Sequence, residues 1–147
     1  MTEVLFYHLT ESRAEQQLPG LLERSLERGW KAVVQCVSDQ TCRDLDEHLW
    51  TWRDESFLPH AAQGGEPDGN PIWLTTRDDN PICANVRFLL EGATCKDANH
   101  YDRVILLFDG HDADALAGAR QQWKAHNAEG FDLTYYQQDG GRWVKKG

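Results

Sequence analysis

The sequence contains no run of ~18 apolar residues, so nothing in it reads as a membrane-spanning helix. It also lacks the short motifs that fix a phosphate or a nucleophile. There is no GxxxxGKS/T loop, no GxGxxG after the first strand-like segment, no GxSxG elbow and no HExxH. Cysteine is sparse: Cys36, Cys42, Cys83 and Cys95 form neither a CxxC pair nor a zinc-ribbon spacing. They read as reduced, mostly buried thiols. The six histidines include no pair at i, i+4, so no metal centre is expected, and no cofactor. No basic segment precedes the strand-like VLFYHL, which argues against an ordinary signal peptide and for the cytoplasm. Positive charge is short as well, with 15 Lys and Arg against 24 Asp and Glu and a net charge of −9. Broad, sequence-independent nucleic-acid binding depends on basic surface and is not expected here.

What is present suits one domain spanning 1–147, with 40% hydrophobic residues to build a core. Strand-like and helix-like segments alternate. Glu3–Leu9 predicts a strand, with a helix after it carried by Leu18, Leu21, Leu22 and Leu26. Ser12 has capping-box spacing for that helix, and Pro19 implies a kink or a late start. Lys31–Val37 predicts the second strand. A helix capped by Asp39 follows, burying Cys42, Leu45, Leu49 and Trp52. Residues 56–71 read as a Gly/Pro-rich loop with an unusually apolar start, Phe57-Leu58. Strands are expected at Ile72–Thr75, Val86–Leu90, Arg103–Phe108 and Asp132–Gln137. The turn TRDDNP lies between the first two of these, a loop covers 93–102, and a long helix covers Asp112–Ala128. The tail GGRWVKKG carries no assigned element. Such alternation indicates an α/β three-layer or related mixed sheet.

Two places hold candidate chemistry. Asp109 ends a strand and His111 follows it, where ligands gather in open α/β sheets, so acid–base or metal chemistry is one reading. The competing reading is that Asp-Gly makes a turn and Asp112 caps the helix. The second place is ARQQWKAHNAEGF, Ala119–Phe131. Arg120 and Lys124 stand four apart on one helical ridge, Trp123 lies at its edge, and Gly130 suits the left-handed position after a helix. This stretch belongs to a basic end: residues 118–147 carry +2, and the rest carries −11. A ridge of two cations and an indole suits a carboxylate held over an aromatic surface. Complement to the helix dipole is the structural alternative. Trp50 falls off the buried face of its helix, so it either folds against the following loop or belongs to an interface.

Four segments resemble the family of the chi subunit of bacterial DNA polymerase III: VLFYHLT, GWKAVVQCV, LDEHLWTWRDESFLPH and WKAHNAEGF. A gapped GG…P…PIWL follows the third, and together they span nearly the whole chain. The resemblance implies a Rossmann-like three-layer α/β fold. Its mixed, largely parallel central sheet is flanked by helices and has no nucleotide-binding loop. It also implies a non-catalytic accessory subunit of the replicative polymerase holoenzyme and its clamp loader, a monomer on its own. Its implied partners are the acidic, aromatic-ended C-terminal tail of single-stranded DNA-binding protein and the psi subunit or another clamp-loader subunit. By position, the tail site falls on Arg120, Trp123, Lys124 and Phe131, and the psi interface on Trp50, Phe57 and Leu58. His126 and Asn127 stand where relatives often carry an aromatic and a further cation, so the ridge is less basic. Two rival readings stand beside this one: an α/β enzyme using Asp109 and His111, and a purely structural bridging subunit.

Overall fold

The computed structural model describes residues 2–51, 60–63, 65, 70–96, 98–140 and 142–146, the side chains of residues 50 and 51 excepted. Eight strands make one sheet: β1 Glu3–Leu9, β2 Ala32–Gln35, β3 Ala61–Ala62, β4 Ile72–Thr75, β5 Val86–Leu89, β6 Arg103–Asp109, β7 Asp132–Asp139 and β8 Arg142–Lys145. Their spatial order is β3-β4-β2-β5-β6-β1-β7-β8. Every pairing is parallel except β7 with β8, which form an antiparallel hairpin. Three helices, α1 Ala14–Glu27, α2 Asp39–Thr51 and α3 Ala113–Ala128, complete a Rossmann-like three-layer arrangement.

The direction of each crossover decides which face a helix covers. A right-handed connection between parallel strands lies on one face when the chain steps one way along the sheet, and on the other when it steps back. From β1 the chain steps past β6 and β5 to β2, then past β4 to the edge strand β3. α1 and α2 therefore share a face, and Leu18, Leu21, Leu22, Cys42, Leu45 and Leu49 pack there on Leu5, Val34, Phe88 and Ile105. From β3 the chain reverses to β4, β5, β6 and finally β7. The 76–85 and 90–102 segments and α3 accordingly cover the opposite face, against Val4, Phe6, Val104, Leu106 and Phe108. β1 and β6 feed both cores because successive side chains point to opposite sides. Burying each such side chain contributes about 1.5–3 kcal/mol.

Local chemistry departs from the sequence reading in several places. α1 begins after Arg13, whose N–H donates to Gln16 Oε1 at 2.8 Å, and it runs through Pro19. Pro19 is the sixth residue of α1, past the first turn, and forgoes the hydrogen bond that an N–H there would donate to the Glu15 carbonyl. Ser38, not Asp39, caps α2: its Oγ accepts from the Thr41 N–H at 3.2 Å. Cys36 and Cys42 are buried, but Cys83 is exposed; none of the four cysteines is in a disulfide. A 3₁₀ turn, Ala98–His100, interrupts the expected 93–102 loop, and β3 arises within the Gly/Pro-rich loop. β7 runs on past Gln137 to Asp139, and the tail to which no element was assigned contains its hairpin partner β8. Trp52, Phe57 and Leu58 lie outside the described residues, as does the side chain of Trp50.

Asp78 and Asp79 do more than make a turn. Arg87 of β5 is fully buried, and its guanidinium donates to Gln35 Oε1 at 2.9 and 2.5 Å and to Tyr101 Oη at 3.0 Å. It also donates to the Asp79 and Arg77 carbonyls, at 2.6 and 2.8 Å, and faces the Asp78 carboxylate at 3.6 Å. A buried charge is tolerated when its donors are met in this way. The result is a cross-link from the sheet to the 76–81 turn, with no donor left for a ligand.

Candidate functional site: a basic-rimmed aromatic groove

α3 begins because the Asp112 carboxylate accepts from the N–H groups of Asp114 and Ala115, at 3.0 and 3.3 Å. It ends at Gly130, whose φ of +85° an L side chain seldom adopts. Ala119 is buried on the sheet, with Ala115, Leu116 and Trp123 packed beside it. Arg120 and Lys124 stay exposed along the edge of that contact.

Between this edge and the β7–β8 hairpin lies a groove of ≈ 490 Å³. Its floor is aromatic. Trp123 meets Phe6 edge-on at 5.2 Å and Tyr135 at 6.1 Å, and His8 stacks on Phe108 at 5.1 Å. Tyr135 Oη lies 2.7 Å from His8 Nδ1. Burial raises the Tyr135 pKa against the opposing pull of Arg120. Burial, with His111 adding to it, lowers that of His8 despite Asp109. The bond therefore joins two neutral groups near pH 7. Gly110 leaves the space the imidazole needs, since a Cβ there would run into the His8 ring.

The rim carries Arg120 and Lys124 from α3 and Lys146 from the end of the hairpin, and no carboxylate is among the described lining residues. None of the ion pairs among described residues involves these three cations. Neutral aromatic floor and unpaired cationic rim together suit an apolar or aromatic group joined to an anion.

Of the residues chosen from sequence, Arg120, Trp123 and Lys124 line the groove together. Phe131 does not. It packs into the α3-side core and meets His126 edge-on at 5.5 Å. His126 is itself buried, its Nδ1 without a partner and its pKa lowered by burial despite Glu129, so it adds no charge to the ridge. His8, Tyr135, Gln137 and Lys146 were missed. Alternation along β1 and β7 predicts which face His8, Tyr135 and Gln137 share, but not that β1 and β7 are neighbours.

The strand end at Asp109 is committed elsewhere. The Asp109 carboxylate accepts from the His111 N–H at 2.9 Å, and His111 Nε2 lies 2.8 Å from the Thr10 carbonyl oxygen. With Asp112 serving as the cap, these groups make a turn and a helix start. On α2, the Asp46 carboxylate lies 2.8 Å from Nε2 of the buried His60. Among the described residues no group of three potential metal ligands forms, and no helix is long and apolar enough to cross a membrane.

The family model described as "DNA polymerase III chi subunit, HolC" matches residues 1–134. The chain is 25% identical over 127 residues to "DNA polymerase III subunit chi" of Escherichia coli, 84% of each chain being covered. It is 31% identical over 84 residues to the Pseudomonas aeruginosa protein of the same description, covering 48% of this chain and 59% of that one. With "Probable DNA polymerase III subunit chi" of Rickettsia prowazekii it shares 24% over 91 residues, covering 61% of this chain and 55% of the relative. The chain thus spans less than two thirds of the length of the last two relatives.

Proposed function

The chain belongs to the DNA polymerase III chi subunit family, accessory proteins of DNA replication, and we propose that its groove docks the acidic, aromatic-ended C-terminal tail of single-stranded DNA-binding protein. The observation that carries this reading is the pairing of a neutral aromatic floor with cations that have no carboxylate partner among the described residues. The tail's terminal ring packs against Trp123 and Tyr135. Its terminal carboxylate pairs with Arg120, whose planar fork suits bidentate contact, while Lys124 adds positive potential. The chain itself performs no catalysis in this reading. Its contribution is tethering, which raises the local concentration of the polymerase assembly along coated DNA.

A groove of this size, open to solvent, gives micromolar affinity, about −8 kcal/mol or weaker. Because the rim is exposed, binding weakens as salt rises. The test is titration of a labelled tail peptide against the wild type, Arg120→Ala and Lys124→Ala. We expect about tenfold weaker binding for Arg120→Ala and a smaller loss for Lys124→Ala. Equal affinity in all three proteins sinks the assignment.

Linkage to the clamp loader through psi or another subunit, using Trp50, Phe57 and Leu58, is the second part of the proposal. It draws on the family resemblance and on the apolar character of that stretch. Loss of clamp-loader co-purification in Trp50→Ala, with tail binding retained, is the expected result.

A further inference from the structure

We propose that the C-terminal hairpin forms the second wall of the groove, and that Lys146 reads the acidic residues preceding the ligand's apolar end. This rests on the tail-binding reading above and adds to it a residue, a position and a reason for that position.

The register makes the argument. β7 and β8 pair Tyr136 with Lys145 and Gln137 with Val144. Paired residues of an antiparallel ladder share a face and neighbours alternate, so Tyr135, Gln137, Val144 and Lys146 stand on the α3 side. The ladder continues one step past β8, where the Lys146 N–H donates to the Tyr135 carbonyl at 2.7 Å. Lys146 thereby reaches the groove from the side opposite Arg120 and Lys124, with the aromatic floor between. A ligand whose terminal carboxylate lies against Arg120 would carry its upstream carboxylates toward that far wall.

An exposed lysine is ordinarily a solvated, mobile charge of little value to binding. Here the far face of the hairpin is fastened down. Gln138 Oε1 accepts from the N–H groups of Thr10, Glu11 and Ser12, at 3.0, 3.0 and 3.2 Å, and its Nε2 donates to Ser12 Oγ at 2.8 Å. The Gly140 N–H donates to Glu11 Oε1 at 2.7 Å, and Trp143 stacks on Tyr7 at 4.8 Å. These contacts order the Lys146 backbone before any ligand arrives, so binding restricts only its side chain. Gln137 and Lys146 lie beyond residue 134, where the family match stops, so the family match does not carry this wall.

The experiment uses two synthetic peptides, one ending in Pro-Phe with aspartates upstream and the same peptide with asparagine at those positions. Both are titrated against wild type, Lys146→Ala, Lys146→Glu and Arg120→Ala, with thermal unfolding as a control for folding. We expect Lys146→Ala to weaken the aspartate peptide about two- to five-fold at low salt. Lys146→Glu should weaken it about tenfold. The asparagine peptide should bind wild type and both Lys146 variants alike, whereas Arg120→Ala should weaken both peptides through the terminal carboxylate. If Lys146→Glu binds the aspartate peptide like wild type while Arg120→Ala does not, the hairpin role is overturned and the tail reading stands. If wild type binds neither peptide, both are overturned.

Discussion

Two clusters of basic side chains lie on opposite faces of this acidic protein, and they use their charge differently. On the α1 side, Arg24, Arg28 and Arg103 surround Trp30 beside Tyr7, with Glu27 in the same depression. Arg28 and Arg103 lie 4.3 and 5.3 Å from the Trp30 ring centroid, and Arg103 pairs with Glu3 at 3.1 Å. Much of that charge is already engaged in holding a tryptophan over the end of the sheet. On the α3 side, Arg120, Lys124 and Lys146 have no such ion pair among the described residues, and the aromatic rings lie beneath them as an accessible floor. A count of cations does not separate the two places. What separates them is whether the partners of those cations are already in the fold.

The comparison breaks most visibly at the two tryptophans. Trp123→Ala removes both floor and core contacts, and should lower unfolding free energy by about 3 kcal/mol in urea denaturation and abolish tail binding. Trp30→Ala should destabilise by a smaller amount, about 1–2 kcal/mol, and leave tail affinity unchanged. A shared loss of affinity would mean the two regions are not independent.

At the level of single charges the contrast is finer. Arg103→Ala removes the Glu3 pair and a cation–π contact, with an expected cost of about 1 kcal/mol in stability and no change in tail binding. Arg120→Ala should do the reverse, because its side chain is exposed and supports no packing.

The smallest expected effect is on pH dependence. His126 has a folded pKa below its ordinary 6.5 because burial disfavours its charged form. The unfolded chain therefore binds the proton more readily. Stability from this group is fully present above pH 6.5 and is lost as pH falls below it toward the folded value. His126→Leu should flatten that part of the stability profile, measured by urea denaturation at stepped pH. His8 shifts in the same direction, so the double variant should be flatter still.

Much of the fold was legible because it is written locally. Ile72–Thr75 was placed from four apolar or β-branched residues, and Asp112–Ala128 from a cap and a glycine stop. Arg120, Trp123 and Lys124 were legible for the same reason, being one helical ridge. Phe131 was not. It follows the glycine on the same stretch, but whether the residue just before β7 faces groove or core depends on how that strand is seated in the sheet. Arg87 gave no signal at all, since a basic residue inside VRFL looks like a solvent-facing position until Gln35, Asp79 and Tyr101 are seen to converge on it.

By itself, the sequence determined the periodicities, the caps and stops, the acidic balance with its basic end, and a ridge of two cations beside an indole. Each depends on residues within a few positions of one another, so spacing alone expresses it. The tertiary structure decided that β7 lies against β1, which brings Tyr135 to His8 across 127 positions. It also decided that the last strand folds back to carry Lys146 over the same floor. Those outcomes follow from strand order and register, which are settled by burial and hydrogen bonding across the whole sheet and leave no mark on local spacing.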